Sequence, residues 1–323
     1  MRPMLHLRPA AMPPAPPLAE VVLAVRNGAR FLPQQMDSLF AQTGVRLRLR
    51  ALDDGSSDGS RQVMLDQAGR AGQVLHLAEG PRAGVAEAFF TLLDRVGADA
   101  DLVAPCDQDD VWLPRKLARA GRALAALPAG APGAVIGARM VTDASLRLLG
   151  RDPAWRWPPG FANALVENIL PGNALVMNAA ALALVRASLP AARAAGVPLH
   201  DWWIYLVLSG AGANLWHDPE PMVLYRQHGG NEIGDAPQGL RRGLRMLAAL
   251  DGRYRRRIDA NLSALLACAD LLTPENRRLL WQFAALRAAP PARRLAGAFG
   301  LGLYRQGRAA QAALRVGLAL GQA

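Results

Sequence analysis

The sequence predicts an α/β fold: a mostly parallel central sheet flanked by helices, followed by a basic helical appendage. Three observations carry this expectation. Strand-length apolar runs alternate with segments of helical period through the first third of the chain. Acidic and glycine-rich clusters follow directly on several of those runs, where the carboxyl ends of parallel strands would lie. From residue 239 onward the chain turns strongly arginine-rich while keeping helical spacing.

In chain order, residues 20–25 are an apolar run rich in β-branched side chains, closed by Arg26-Asn27-Gly28, and read as a buried strand and turn. Residues 31–42 place apolar side chains at 32, 36, 39 and 40, the spacing of an amphipathic helix. Residues 45–52 alternate Val45, Leu47, Leu49 and Ala51 with Arg46, Arg48 and Arg50, a half-buried strand that ends at Asp53-Asp54-Gly55. A helix over 60–71, a strand over 73–77 and a helix over 84–96 follow. The apolar run 100–104 then forms a strand immediately before Cys106-Asp107-Gln108-Asp109-Asp110-Val111-Trp112. Further on, the pattern gives a helix over 113–127, a strand over 134–141, a Trp/Pro-rich loop over 151–160 and a strand over 173–177 running into a helix over 179–188. Another helix opens at His200-Asp201-Trp202-Trp203, and residues 214–224 return as strand and turn. The expected organisation is a proline-rich flexible lead-in over 1–17, a sheet domain over 18–235 and a basic helical region over 236–323.

Composition narrows the classes. The formal net charge is +11, and Lys116 is the sole lysine. Fifteen arginines of the region from 239 onward face only Asp251, Asp259, Asp270 and Glu275, so that region alone carries an excess equal to the whole. A basic amphipathic helical region suits an anionic membrane surface or an anionic lipid-linked substrate; a solvated helical face is the alternative. Nucleic acid is a poorer partner, because the arginines are not interleaved with stacking aromatics. Cys106 and Cys268 are far apart and form no metal-binding pair, which favours a reduced compartment. No uninterrupted apolar run reaches the roughly 18–20 residues of a membrane span, so the expected location is the cytoplasm, with peripheral contact at the inner membrane face.

Asp107, Asp109 and Asp110 are the most informative residues. Three carboxylates within four positions repel one another unless solvent or a cation offsets them. A hard divalent ion held by one or two carboxylates, with its other positions given to diphosphate oxygens, suits that arrangement. Taken alone, the cluster also fits an acidic loop, and Asp53-Asp54-Gly55-Ser56-Ser57-Asp58-Gly59-Ser60 also fits a turn with a helix cap. A parallel sheet brings such strand ends to one edge, which favours a binding site.

The segments VVLAVRNGARFLPQQMDSLFAQ, LDDGSSDGS, CDQDDVWLPRKL, HDWW and YRQHGGN together resemble the family 2 glycosyltransferases of GT-A fold. Within them the chain is similar to the rhamnosyltransferase-like branch that builds O-antigen and other bacterial surface polysaccharides. Where members commonly carry Tyr before the asparagine of the first motif, this chain has Arg26. The resemblance implies an inverting transfer from a dTDP- or UDP-linked sugar to a glycan or lipid-linked glycan acceptor. It assigns the donor nucleotide sugar to Asn27, Asp53, Asp54, Asp107 and Arg226, with Asp53 accepting the imide N–H of a uracil or thymine base. It assigns Mg2+ or Mn2+ to Asp107 and Asp109, with His228 either completing the metal shell or serving as a hydrogen-bonded structural histidine. Asp110 could bind the ion, hold its water or cap the next helix. Arg226 could clamp phosphate in its planar fork. Asp201 is the candidate general base, since a single in-line displacement needs one carboxylate near the acceptor hydroxyl. Trp202 and Trp203 could stack on a sugar or belong to the core, and Trp155 lies on a candidate acceptor-side loop. Two other classes compete. A sugar nucleotidyltransferase would need a glycine-rich loop after the first strand, where Arg26-Asn27-Gly28-Ala29-Arg30 stands. A membrane-surface scaffold would dispense with the acidic residues, and they are all present.

Overall fold

The computed structural model describes residues 15–229, 252–297 and 299–321. Its first half alternates strand and helix: β1 (Leu18–Val25), α1 (Leu32–Phe40), β2 (Arg46–Asp53), α2 (Ser60–Ala71), β3 (Leu75–Glu79), α3 (Val85–Asp94) and β4 (Leu102–Cys106). β5 (Val111–Trp112), α4 (Lys116–Ala125), β6 (Gly133–Thr142), β7 (Leu148–Arg151) and α5 (Phe161–Ala164) follow. A 3₁₀ turn at Gly172–Ala174 leads to β8 (Leu175–Asn178), α6 (Ala179–Ala194), α7 (His200–Gly210) and β9 (Asn214–Arg226). The described part of the basic region holds α8 (Arg253–Ala267), α9 (Pro274–Ala288), α10 (Pro291–Gly297) and α11 (Arg308–Leu320).

The sheet runs in the order β3-β2-β1-β4-β8-β6-β9-β5, with β7 on β6. β1 pairs in parallel with β2 and β4, and β2 with β3, so the ends of β1, β2 and β4 share one edge. β8 is antiparallel to both neighbours, while β6 and β9 pair in parallel and carry Arg226 to that same end of the sheet beside Thr142. The expected α/β architecture is therefore observed.

Strand alternation divides the core. Val22, Val103, Ile136 and Met177 face one side with α3, α6 and α7; Val21, Leu23, Ala104 and Val176 face the other with α1, α2 and α4. β1 carries one charge into the interior. Glu20 is fully buried, and Arg48 (3.1 Å), Arg50 (2.5 Å) and the Gly97 amide (3.0 Å) hold its carboxylate. This explains why arginines occupy the inward-and-outward alternation of β2: two of them neutralise a buried anion, which unpaired would cost several kcal/mol, about 3–5.

Helix boundaries shifted where tertiary packing outweighed local signals. α6 continues past Ser188 to Ala194 despite Pro190, because Val185, Leu189 and Ala192 are all buried on one face. β5 and β7 were absent from the expectation; β5 is only two residues long and exists through its pairing with β9. The basic helices are not separate from the sheet domain. Ile258, Leu265, Phe283, Leu314 and Leu318 belong to the same contiguous core as α3, α6 and α7. Each such side chain contributes about 1.5–3 kcal/mol by burial, so the appendage is structurally integral.

Candidate functional site

At the end of β1 the chain turns through Asn27, whose φ of +52° lies in the left-handed region that asparagine tolerates better than most residues. The β2 loop braces it. Asn27 donates its amide to Ser56 Oγ (3.0 Å) and accepts the Ser57 amide at Oδ1 (2.9 Å), while Gly28 donates to Ser60 Oγ (2.8 Å) and Ala29 to Asp58 Oδ2 (3.0 Å). Hydrogen bonds to its charged form pull the Asp58 carboxyl below its usual value against the effect of burial. From the loop after β4, Gln108 grips the end of β1 at two points, accepting from the Arg26 amide (2.8 Å) and donating to the Arg26 carbonyl (3.0 Å). A Cβ at Gly28 would lie 2.5 Å from Gln108 Oε1, so a larger residue there would have to displace that side chain. Three strand-end motifs are thus bonded into one rim.

That rim borders a cleft of about 1120 Å³. Asn27, Asp54, Asp107, Asp109 and Asp201 all line it, as do Trp155 and Trp202. Asp54 is buried and accepts the Arg82 amide at 2.6 Å. Asp53, by contrast, is not in the lining; its Oδ1 accepts the Ser56 amide at 2.9 Å and closes the turn. Of the pair, Asp54 borders the cleft.

The acidic loop is held from behind. Asp110 is fully buried, accepting from Asn173 Nδ2 (2.5 Å) and from the Arg226 amide (3.1 Å). Burial and the neighbouring Asp109 push its carboxyl up to about 7. Lys116 lies beneath, fully buried, donating to the Asn173 carbonyl and sitting over the Trp112 ring at 3.1 Å. Burial lowers its ammonium to about 7, opposed by Cys106, Asp110 and Asp107. Asp107 is raised well above the ordinary carboxylate value, first by burial and then by the charges of Asp110, Asp109 and Asp201. A rise caused partly by Asp201 shows that the β4 end and the start of α7 share one electrostatic environment.

His228 Nε2 lies 2.7 Å from Asp109 Oδ2, and its ring stacks on Phe31 at 4.6 Å. Gly230 and Asn231 of the same motif lie outside the described residues. Among the described residues, no group of three or more His, Cys, Asp and Glu side chains forms a metal cage. The crowding that raises Asp107 nonetheless fits a cation taking one or two protein carboxylates and its remaining oxygens from substrate.

Two expectations are corrected by position. Arg226 is buried behind the acidic loop and does not line the cleft; its guanidinium donates to the carbonyls of Asp109 and Ala144 and to Gln34 Oε1, each at 2.7 Å. With its NH groups aimed at these acceptors and its plane 4.7 Å over Phe31, it fixes the loop in place of clamping a substrate phosphate. Trp203 is fully buried, its indole donating to Ser188 Oγ at 2.9 Å, and is a core residue. Trp202 is also largely buried, anchored to the Ala164 carbonyl at 2.7 Å, yet one edge reaches the cleft. Trp155 stacks on His217 at 4.2 Å.

Asp201 opens α7. Its Oδ1 accepts the Trp202 amide at 2.7 Å, and no protein hydrogen bond to its other oxygen is present among the described residues. Beside it, His200 stacks on Phe89 at 3.8 Å, and its buried Nε2 has no partner. Burial drives that imidazole down to about 4, so it is neutral at ordinary pH. The sequence marks Gln108 and His200 only as members of their motifs, without a role, and does not single out Asn173 or the cleft-lining Tyr254, Arg257 and Arg305 from the basic region. His200 and Gln108 stood inside motifs already quoted; nothing local marked the others.

The family model for glycosyl transferase family 2 matches residues 20–187, and the chain belongs to that family. It is 34% identical over 102 residues to an uncharacterized glycosyltransferase of Nostoc sp., a match spanning 31% of this chain and 30% of that protein. Among solved structures, TarS residues 1–349 of S. aureus in complex with UDP-GlcNAc superposes with a TM-score of 0.51 at 12% identity, covering 94% of this chain and 90% of that one. The mannosyltransferase PcManGT of Pyrobaculum calidifontis, with GDP-Man and Mn2+, gives 0.48 at 21% identity, covering 96% and 90%. Fold and family agree: the chain is a member of glycosyl transferase family 2 with the GT-A fold.

Proposed function

We propose that this chain is a metal-dependent, inverting glycosyltransferase that moves a sugar from a nucleotide-diphosphate donor to a glycan or lipid-linked glycan, with Asp201 as general base. The observation that carries this reading is the shared cleft: Asp201 at the start of α7 faces the same space as Asp107 and Asp109, close enough to raise Asp107. Asp54 supports base recognition, because an ionised carboxylate is an acceptor suited to an imide N–H. Asp107 and Asp109 would hold Mg2+ or Mn2+ against the donor diphosphate, where the ion supplies Lewis-acid stabilisation of the leaving group. His228, bonded to Asp109, orients that carboxylate. The acceptor hydroxyl gives its proton to the free oxygen of Asp201 as its own oxygen attacks the anomeric carbon. The nucleoside diphosphate departs from the opposite face, and configuration inverts. Trp155 and the exposed edge of Trp202 suit apolar faces of a sugar ring. The similarity to the rhamnosyltransferase-like branch makes dTDP- and UDP-deoxyhexoses the donors to assay first.

Melting temperature with a panel of nucleotide sugars, each with and without Mn2+ or Mg2+, tests the reading. One donor should raise it only when metal is present. Asp109→Asn should abolish both that shift and transfer; full activity in excess chelator would remove the metal from the mechanism.

Peripheral membrane contact is supported by the surface of the C-terminal helices. Phe299, Val316 and Leu320 are 62%, 59% and 59% exposed, and Arg315 lies over Phe299 at 4.6 Å. Val316 and Leu320 are one helical turn apart on α11, an apolar strip beside arginine that suits an anionic interface. No helix among the described residues is long and apolar enough to cross a membrane. Anionic vesicles should retain the protein in low salt, and Val316→Ser with Leu320→Ser should release it; equal retention would remove this surface from the proposal.

A further inference from the structure

The wall of the cleft beyond Asp201 comes from the basic helices. Tyr254, Arg257, Arg305 and Gln306 line the same space as Asp107 and Asp201. Tyr254 is pinned by its hydroxyl to the Val166 carbonyl (2.6 Å), and its ring stacks beside Trp202 at 6.2 Å. Arg257 follows three residues later on α8, the spacing that puts two side chains on one helix face. Arg305 approaches from the other side, its guanidinium 5.6 Å from the Tyr254 centroid. Arg305 therefore lies beside the Tyr254 ring, and Arg257 lines the same cleft from the helix face that carries Tyr254.

Their charges are unevenly spent. Arg305 meets Glu167 only at 3.4 Å, longer than a good charge-assisted bond of about 2.7–2.9 Å. Glu167 accepts the Gln306 amide (2.7 Å) and Asn163 Nδ2 (3.0 Å) at Oε2 and faces Arg305 with Oε1. Arg139, the other cleft arginine of this half, is forked onto Asp152 at 2.9 and 3.1 Å. Arg257 has no hydrogen bond or ion pair to any described residue. The cleft thus has an acidic donor side and, past Asp201, a side with two arginines: Arg305 is paired with Glu167 at 3.4 Å, and Arg257 has no carboxylate partner among the described residues.

We propose that this cationic side binds a phosphoryl group on the acceptor, with Arg257 as its principal ligand and Arg305 as the second. The inference rests on the glycosyltransferase reading and adds the acceptor's chemical class. Two guanidinium groups from separate elements suit a tetrahedral oxyanion, which offers oxygens in several directions, better than a planar carboxylate that one fork satisfies. The phosphoryl group lies within one cleft of the accepting hydroxyl, so a sugar phosphate or a lipid diphosphate-linked sugar both fit.

The test is a titration of phenyl phosphate into the full chain, followed by 31P line broadening, in excess EDTA so that the carboxylates of the donor side repel the probe. Phenyl glucoside, read by proton NMR, is the neutral control. Saturable phosphate binding is expected, weakened about 10- to 100-fold in Arg257→Ala, the range of one lost charge-assisted contact. Arg257→Lys, which keeps charge without the fork, should fall between. No saturable binding by the unaltered chain, or equal binding by Arg257→Ala with an unchanged melting curve, overturns the proposal. Dodecyl phosphate below its micelle concentration separates the sources: tighter binding than phenyl phosphate supports a lipid-linked acceptor, and equal binding supports a soluble sugar phosphate. Donor hydrolysis by the unaltered protein with Mn2+ is measured alongside. Its absence for every donor would remove the transferase reading without touching the phosphate result.

Discussion

Replacing Arg226 separates a structural from a substrate-binding role. Its guanidinium supplies three 2.7 Å hydrogen bonds, to the Asp109 and Ala144 carbonyls and Gln34 Oε1, and it is 2% exposed. Arg226→Met keeps most of the volume but removes all three hydrogen bonds, two to half-buried carbonyls and one to the exposed Gln34. At roughly 1–1.5 kcal/mol for each lost bond, the expected loss is about 4 kcal/mol. Arg226→Lys can reach one or two acceptors but not all three, because a single ammonium lacks the fork, so about half that loss is expected. At about 2 °C per kcal/mol for a chain of this length, melting should fall by about 8 °C and 4 °C respectively. Thermal melts of both variants, with and without donor, provide the assay. A phosphate clamp would give the opposite pattern, with melting of the free protein unchanged and donor affinity lost. That result would refute the placement of Arg226 behind the acidic loop.

The other predictions are shorter. Asp201→Asn should leave the donor-induced melting shift in place while lowering turnover by roughly 10²–10⁴-fold; unchanged turnover would exclude it as the base. His200 has its protonation held down to about 4, against 6.5 unfolded, so its stabilising contribution is complete above pH 6.5 and is lost as pH falls towards 4. The loss approaches about 3 kcal/mol as an upper estimate, and denaturant midpoints between pH 7 and 4 should slope less in His200→Gln; identical slopes would refute it. Gly28→Ala should displace Gln108 and its two bonds to Arg26, lowering stability by about 1–3 kcal/mol and weakening donor binding. A chain ending at residue 235 should fail to give a cooperative melt, since Ile258, Leu265 and Phe283 are core residues; a sharp transition would show the basic region to be separable.

The strand-helix alternation and the three acidic strand ends were legible because each depends on local rules. Period-two and 3.6-residue patterns are visible in β1, α1 and β2, and a parallel sheet of necessity brings the ends of β1, β2 and β4 to one edge. Which member of a pair faces the ligand was not legible. Asp53 and Asp54 are adjacent and chemically identical, and only the folded backbone after β2 bonds one into the turn and sets the other against the cleft. Arg226 and Trp203 look functional in sequence because they stand in motifs beside Asp109 and Asp201, yet both are buried and spend their donors on acceptors within the protein. A local pattern cannot report where distant carbonyls will lie.

The chain's own order therefore determined its family, its sheet and the location of its acidic rim. Tertiary structure decided the remainder of the site. Asn173, Tyr254, Arg257 and Arg305 come from segments 63 to 198 positions away from Asp110 or Asp107, and the last three reach the cleft only because the helices after residue 252 bury their apolar faces on the core that holds α6 and α7. Hydrophobic burial is non-directional and carries no sequence signature of its partner, so the far wall of the cleft became visible only once the chain had folded around it.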